Sequence, residues 1–291
     1  MPCYINLPVR WIHEKSAWTD WFLAGRIAPE FGLDPTSLAL PDTWHRRLAE
    51  RFRDAGIPCA VHLPFMGVDP GVADAAKARA ARETLRRGAE LANIYGAAHM
   101  IGHPYYRLPE TPAGPGPVDP VWLERSLLAW PDLPAIAGAP LFLENTYETS
   151  PRAIAILVAA LRDSASGTVG VCFDLGHWHA FAKKRLPEEL DPWLDAYTPF
   201  PLHLHLHDND GASDQHLGLG RGTVPLEAFF ARLATGNRPV TATLEPHDVD
   251  AFLSSIAWLG AHPAAAGLVA WESPRTDALP LAEIERHIVK E

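Results

Sequence analysis

The chain is short of cysteine: Cys3, Cys59 and Cys172 are its only three among 291 residues. An odd, widely spaced set gives no disulfide framework, so they read as free thiols of a reducing, cytoplasmic compartment. Long hydrophobic runs are missing too. No uninterrupted apolar stretch reaches the roughly 18 residues that would suggest a membrane span, so no membrane partner is expected. The opening Met1-Pro2-Cys3-Tyr4-Ile5-Asn6 lacks the basic and apolar regions of a secretion signal. Positive charge is in deficit, with 25 Lys and Arg against 35 Asp and Glu and a net charge of −10. A protein built to coat nucleic acid electrostatically would carry the opposite balance, so a nucleic-acid partner is not expected either.

Apolar residues and proline are plentiful. Hydrophobic residues make up 47% of the chain, enough to bury the core of one large α/β domain. The 28 prolines are nearly double the usual ~5% and sit mostly between elements, as punctuation. Short apolar runs predict strands at Cys3–Val9, Thr36–Leu40, Cys59–Phe65, Ala98–His103, Leu141–Asn145, Val169–Leu175, Pro201–His207 and Val240–Glu245. Helical stretches fall between them at Trp18–Phe31, Trp44–Ala55, Ala73–Tyr95, Pro120–Ile136, Pro151–Asp163, Pro187–Tyr197, Pro225–Ala234 and Val249–Leu259. Thr111–Asp119 is a Pro/Gly loop, and Gly267–Glu291 a closing helix or arm. Strict alternation implies a parallel sheet, and eight strands close a barrel, so the expectation is a single (β/α)8 TIM-barrel domain over residues 1–291.

In such a barrel chemistry sits where strands end and helices have not begun. Strand three ends in His62, strand four in His103, strand five in Glu144, and strand six in Asp174 and His177. Strand seven carries His203, His205 and His207 on one face, the following loop carries Asp214 and His216, and strand eight ends in Glu245. One histidine at a strand end is more often a hydrogen-bonded structural residue. Six consecutive strands ending this way are hard to reach by accident, because buried polar groups must be compensated. Mixed imidazole and carboxylate donors suit zinc, manganese or ferrous iron, and two or three such ions need bridging carboxylates, which Glu144 and Glu245 are placed to be. His203 lies deeper on its strand and reads as core, while His13, His45, His99, His262 and His287 read as surface or structural. Phe65, Tyr105, Tyr147, Trp178 and His207 are candidate substrate contacts near these ends, although Trp178 and the pair Tyr105–Tyr106 could equally pack.

From Val61 to Glu245 these motifs, in order, resemble the xylose isomerase-like TIM-barrel superfamily, which includes endonuclease IV and many sugar isomerases and epimerases. The resemblance implies up to three zinc ions: one on His62, His103 and Glu144, a second on Glu144, Asp174, His205 and Glu245, a third on His177, Asp214 and His216. The family's strand-seven pattern falls on His205-Leu206-His207-Asp208, making His205 the ligand and His207 the runner-up. Two departures bear on substrate. Strand three continues as His62-Leu63-Pro64-Phe65-Met66, unlike the DNA-facing motif of endonuclease IV, and Gly211 and Ala212 stand where an epimerase arginine is expected. Cobamide-remodelling hydrolases resemble the same superfamily, and aromatic strand-end loops would suit a large flat ligand. The leading expectation is a metal-dependent hydrolase cleaving a phosphodiester in a small molecule, with a metal-activated hydroxide as nucleophile and Glu144 and Glu245 as catalytic carboxylates. The alternative is a sugar or sugar-phosphate isomerase or epimerase using one or two divalent ions, manganese among them, and an abasic-site endonuclease ranks below both.

Overall fold

The computed structural model describes residues 3–106, 110–111, 114–236 and 239–288. Its centre is one closed barrel of eight parallel strands. They are β1 (Tyr4–Pro8), β2 (Pro29–Gly32), β3 (Ala60–His62), β4 (Met100–Gly102), β5 (Leu141–Glu144), β6 (Val169–Asp174), β7 (Leu202–Leu206) and β8 (Val240–Leu244). Each strand pairs with its sequence neighbour, and β1 closes on β8 through Tyr4 against Thr243 and Ile5 against Leu244. This is the (β/α)8 architecture expected, with helices packed around the outside. No described helix is long and apolar enough to cross a membrane.

Local chemistry accounts for most boundaries. Asp74 caps the helix Ala75–Tyr95 by accepting from the Ala76 and Lys77 amides at 2.8 and 3.1 Å. Gly96 ends that helix at φ 62°, in the left-handed region that favours glycine. Asp119 caps Pro120–Leu127, with Pro120 in the first turn, where its missing N–H costs nothing. The expected helix Pro120–Ile136 is two pieces, the second at Leu133–Ala137.

The second strand is a correction. Thr36–Leu40 is helical: Asp34 and Ser37 form a reciprocal capping box around Pro35, opening the helix Pro35–Ala39. The strand lies earlier, inside the stretch expected to be helix to Phe31. That helix (Ala17–Gly25) stops at Arg26, whose left-handed φ of 51° turns the chain into β2. The expected Thr111–Asp119 loop contains a short antiparallel pairing of Glu110–Thr111 with Gly114–Pro115, residues 112–113 lying outside the described residues. The closing segment is an arm carrying a 3-10 turn at Thr276–Ala278 and a helix at Leu281–Glu285; residues 289–291 lie outside the described residues.

Candidate metal centre

At the C-terminal ends of the strands lies a cavity of about 520 Å³. His62, His103, Glu144, His177, Asp214, His216 and Glu245 all line it. Asp174 and His205 sit directly beneath, fully buried. All nine ligand candidates therefore converge on one end of the barrel.

Glu144 is the hub. Its Oε2 is 3.3 Å from His62 Nε2, 2.9 Å from His103 Nε2 and 3.3 Å from His205 Nδ1, and its Oε1 is 3.1 Å from His177 Nδ1. His205 Nδ1 also stands 3.3 Å from Glu245 Oε1 and 3.9 Å from Asp174 Oδ2. A third group forms on the loop after β7: Asp214 Oδ2 is 3.3 Å from His177 Nε2 and 3.2 Å from His216 Nε2. Zinc–ligand bonds of about 2.0–2.2 Å set the edge of a coordination tetrahedron at about 3.3–3.6 Å. The donors are already spaced near such edges. His62 and His103 bring two ring nitrogens within 3.1 Å of each other, a contact that two lone pairs cannot make without a cation or a proton between them.

Contacts with backbone carbonyls settle which ring nitrogens carry the proton. Backbone carbonyls only accept, so the nitrogen touching one must donate. His62 Nδ1 donates to Leu63 O at 2.9 Å, His177 Nδ1 to Asn145 O at 2.9 Å, and His216 Nδ1 to Glu245 O at 3.0 Å. Each leaves its Nε2 lone pair turned to the carboxylates, as outer partners of metal-bound histidines do. Asn145 ties two strands together here: its side-chain amide donates to Asp174 O and its Oδ1 accepts from the Asp174 amide, both at 2.9 Å.

Buried carboxylates and most of these imidazoles hold one another charged; His103 is the exception, burial lowering its pKa despite Glu144. Burial alone would raise the Glu144 pKa, yet His103 and His205 pull it well below the usual carboxylate range. Burial likewise disfavours the His177 cation, but Asp174 and Asp214 raise its pKa well above the ordinary value. Asp174 Oδ2, His205 Nδ1, both His207 ring nitrogens and Asp214 Oδ1 are buried without a hydrogen-bond partner. Orphaned lone pairs converging at ligand spacing fit divalent cations.

The loop presenting Asp214 and His216 is built for the task. Asp208 Oδ1 accepts from the Asn209 and Val224 amides, and its Oδ2 from the Gly220 amide, closing the loop on its own base. The His216 backbone is held at φ 49°, in the left-handed region.

The aromatic expectations divide. Phe65, Tyr105 and Tyr147 line the cavity, joined by Phe181 and Trp11, which the sequence did not single out. Trp178 does not: it is fully buried in the short helix Leu175–Ala180, where adjacent residues point in different directions and a neighbour of His177 need not share its face. Tyr106 also packs, 4.3 Å from the Trp122 ring, with its hydroxyl accepting from the Asp119 amide. His207 does not touch the open cavity as a substrate contact would. It lies beneath, its ring stacked 3.9 Å from His216, its Nε2 3.3 Å from Asp174 Oδ1 and 3.5 Å from Asp214 Oδ1, so it can join the third group. His203 is core, as read, and His99 and His45 are buried structural residues. Sequence reasoning missed Glu30, buried beneath His205, and His247, which lines the cavity with its ring 3.8 Å from His216.

Barrel and site together define a (β/α)8 protein with a candidate carboxylate–imidazole metal centre at the strand ends. The chain belongs to the xylose isomerase-like TIM barrel family, whose model matches residues 27–262. It is similar to the TTHB071 protein of Thermus thermophilus, solved after soaking with ZnCl2, at 28% identity and a TM-score of 0.69 over 92% of this chain and 98% of that one. A D-tagatose 3-epimerase-like protein superposes with a TM-score of 0.70 at 19% identity, covering 92% of this chain and 99% of that one. Endonuclease IV from Thermus thermophilus superposes at 0.59 with 20% identity, covering 89% and 100%; at such identities these two establish the fold alone. No curated protein matches the sequence.

Proposed function

We propose that the chain is a metal-dependent hydrolase that cleaves a phosphodiester in a small molecule. The observation that carries this reading is the third ligand group, His177, Asp214 and His216, set beside the two groups that share Glu144. Two-ion chemistry at a carbonyl has no use for it, whereas in-line displacement at phosphorus does. Divalent cations, zinc first and manganese as the alternative, would supply Lewis acidity toward the phosphoryl oxygens and activate the attacking water. His62, His103 and Glu144 would hold one ion, Glu144, Asp174, His205 and Glu245 a second, and the loop group a third. Glu144 and Glu245 line the cavity, and in this reading they would take up the water's proton at a carboxylate oxygen.

The walls favour a substrate that brings a compact phosphodiester portion to the centre and lays a flat apolar part against the aromatic lining. A volume of about 520 Å³ is that of a small-molecule site. Phe65, Tyr105 and Tyr147 supply faces for stacking, and among the described residues Arg10 is the one Lys or Arg in the lining. The phosphodiester of the cobamide nucleotide loop is one target with these features. The sugar isomerase or epimerase reading draws on the four-ligand group around His205. Against it, Gly211 and Ala212 bring no cation to the cavity, and the nearby Arg185 spends its guanidinium on the Asp210 and Gly211 carbonyls.

The test is the double variant Asp214→Asn, His216→Asn. It is expected to lose about one metal equivalent and keep the Glu144-bridged ions, with hydrolysis of bis(p-nitrophenyl) phosphate and of a cobamide falling by orders of magnitude. Unchanged metal content together with turnover of a ketose would overturn the proposal in favour of the isomerase.

A further inference from the structure

Below the metal centre the barrel interior holds a second polar layer that the hydrolytic reading does not use. Glu30 of β2 is fully buried there, among His99, His203, His205 and Thr243. A carboxylate inside a barrel is costly unless its lone pairs are met.

The donors and acceptors of this layer can be assigned in a chain. The Thr243 hydroxyl donates to Glu30 Oε2 at 2.7 Å. A hydroxyl has one proton, so at its contact with His203 Nε2, 3.0 Å, Thr243 Oγ1 must accept. His203 therefore carries its proton on Nε2, and its Nδ1 accepts from the Thr241 hydroxyl at 2.6 Å. His99 Nε2 gives a second donor to Glu30 Oε2 at 3.2 Å. One oxygen of Glu30 is thus fully occupied. The other, Oε1, has no conventional hydrogen bond, and the group facing it is His205 Nε2, 3.2 Å away; the buried Cys172 thiol also lies against the His205 imidazole. On the opposite edge of the same imidazole, Nδ1 faces Glu144, Asp174 and Glu245.

We propose that Glu30 is the positioning residue of the metal centre: by facing His205 Nε2 with an oxygen that can only accept, it keeps the proton on Nε2 and the Nδ1 lone pair aimed at the shared ions. His62, His177 and His216 are tethered through Nδ1 to backbone carbonyls and present Nε2. His205 is turned the other way round, and among the described residues no backbone carbonyl meets its Nε2, so a side chain serves. A carboxylate behind a ligand imidazole fixes its tautomer and raises its basicity.

The proposal rests on His205 being a ligand, and the test separates the two ideas. In Glu30→Gln the shape is kept, but Thr243 and His99 still donate to one oxygen. The amide oxygen must therefore take that place, which turns the NH2 group toward His205 Nε2. That nitrogen must then accept, the proton moves to Nδ1, and the ligand lone pair is lost. Nitrogen-15 NMR of the zinc-loaded protein is expected to show His205 protonated on Nε2, with Nδ1 free of a proton, in the wild type and protonated on Nδ1 in Glu30→Gln. In chelator competition with zinc, one equivalent is expected to weaken by about 10–100-fold while the equivalents on the other groups hold. A wild-type His205 already protonated on Nδ1, or a Glu30→Gln protein with every zinc affinity unchanged, overturns the role of Glu30. Should Glu30→Gln fail to fold, the wild-type tautomer alone decides. If His205→Asn keeps all its zinc, it is the ligand assignment that fails, whatever the tautomer.

Discussion

At the scale of single residues, the centre is a set of carboxylates and imidazoles whose protonation depends on one another. Asp174 and Asp214 outweigh burial and raise His177, Asp214 outweighs burial and raises His216, and Glu144 is depressed by His103 and His205 against burial. A histidine raised on folding stabilises the ion-free fold fully below its unfolded value of about 6.5, and that contribution is lost as pH climbs through the raised value. The depressed carboxylates stabilise above about 4 and lose their share as pH falls toward their folded values. Ion-free protein should therefore become less stable above about pH 6.5, while zinc binding, which needs neutral imidazoles, strengthens. Melting curves of chelated and zinc-loaded protein from about pH 6 to about pH 9 are expected to show a widening gap in Tm; a constant gap would contradict the assignment. The convergence of these nine residues could be read from the strand ends, because ligand types interrupting apolar runs are conspicuous. Glu30 could not, since a lone glutamate in Ile27-Ala28-Pro29-Glu30-Phe31 has the look of a helix face until the strand beneath it is placed. Trp178 misled for a related reason: adjacency to His177 in sequence is not adjacency in space on a helical turn.

At the scale of elements, the loop after β7 does the most for the site. Asp208 gathers three backbone amides, and Gly222 passes so close to Asn209 O and Asp208 Oδ1 that a Cβ would collide with both. Gly222→Ala is expected to cost about 1–3 kcal/mol and to release the ion on His177, Asp214 and His216 while sparing those on Glu144. Metal analysis beside a thermal melt checks this, and an alanine variant with full metal content would show that the loop is not held by its base. The strands themselves were legible wherever an apolar run ended in a ligand. The second was not, because Thr36–Leu40 has the apolar look of a strand while Asp34-Pro35 already spells a helix start, and local capping prevailed. The true β2 is four residues long and follows a helix without a glycine stop, Arg26 taking the left-handed position instead.

At the scale of the whole molecule, a net charge of −10 surrounds a cavity with Arg10 as its one described Lys or Arg. Duplex DNA binding driven by counterion release needs the reverse. A duplex carrying an abasic site is therefore expected to bind weakly and with little salt dependence; tight binding that collapses as salt is raised would reinstate the nuclease reading. The depth of the centre has a further consequence, for how it fills and empties. His205, Asp174 and Glu144 lie at the floor with side chains 0–1% exposed, while Asp214 and His216 at the lip are 22% and 11% exposed. The floor groups, buried and rich in carboxylate oxygens, hold an ion more tightly than the lip, which solvent and a chelator reach directly. Loading of the apoprotein should then be ordered from the bottom upward and stripping by a chelator from the top downward, so that the ion on His177, Asp214 and His216 is the last to arrive and the first to go.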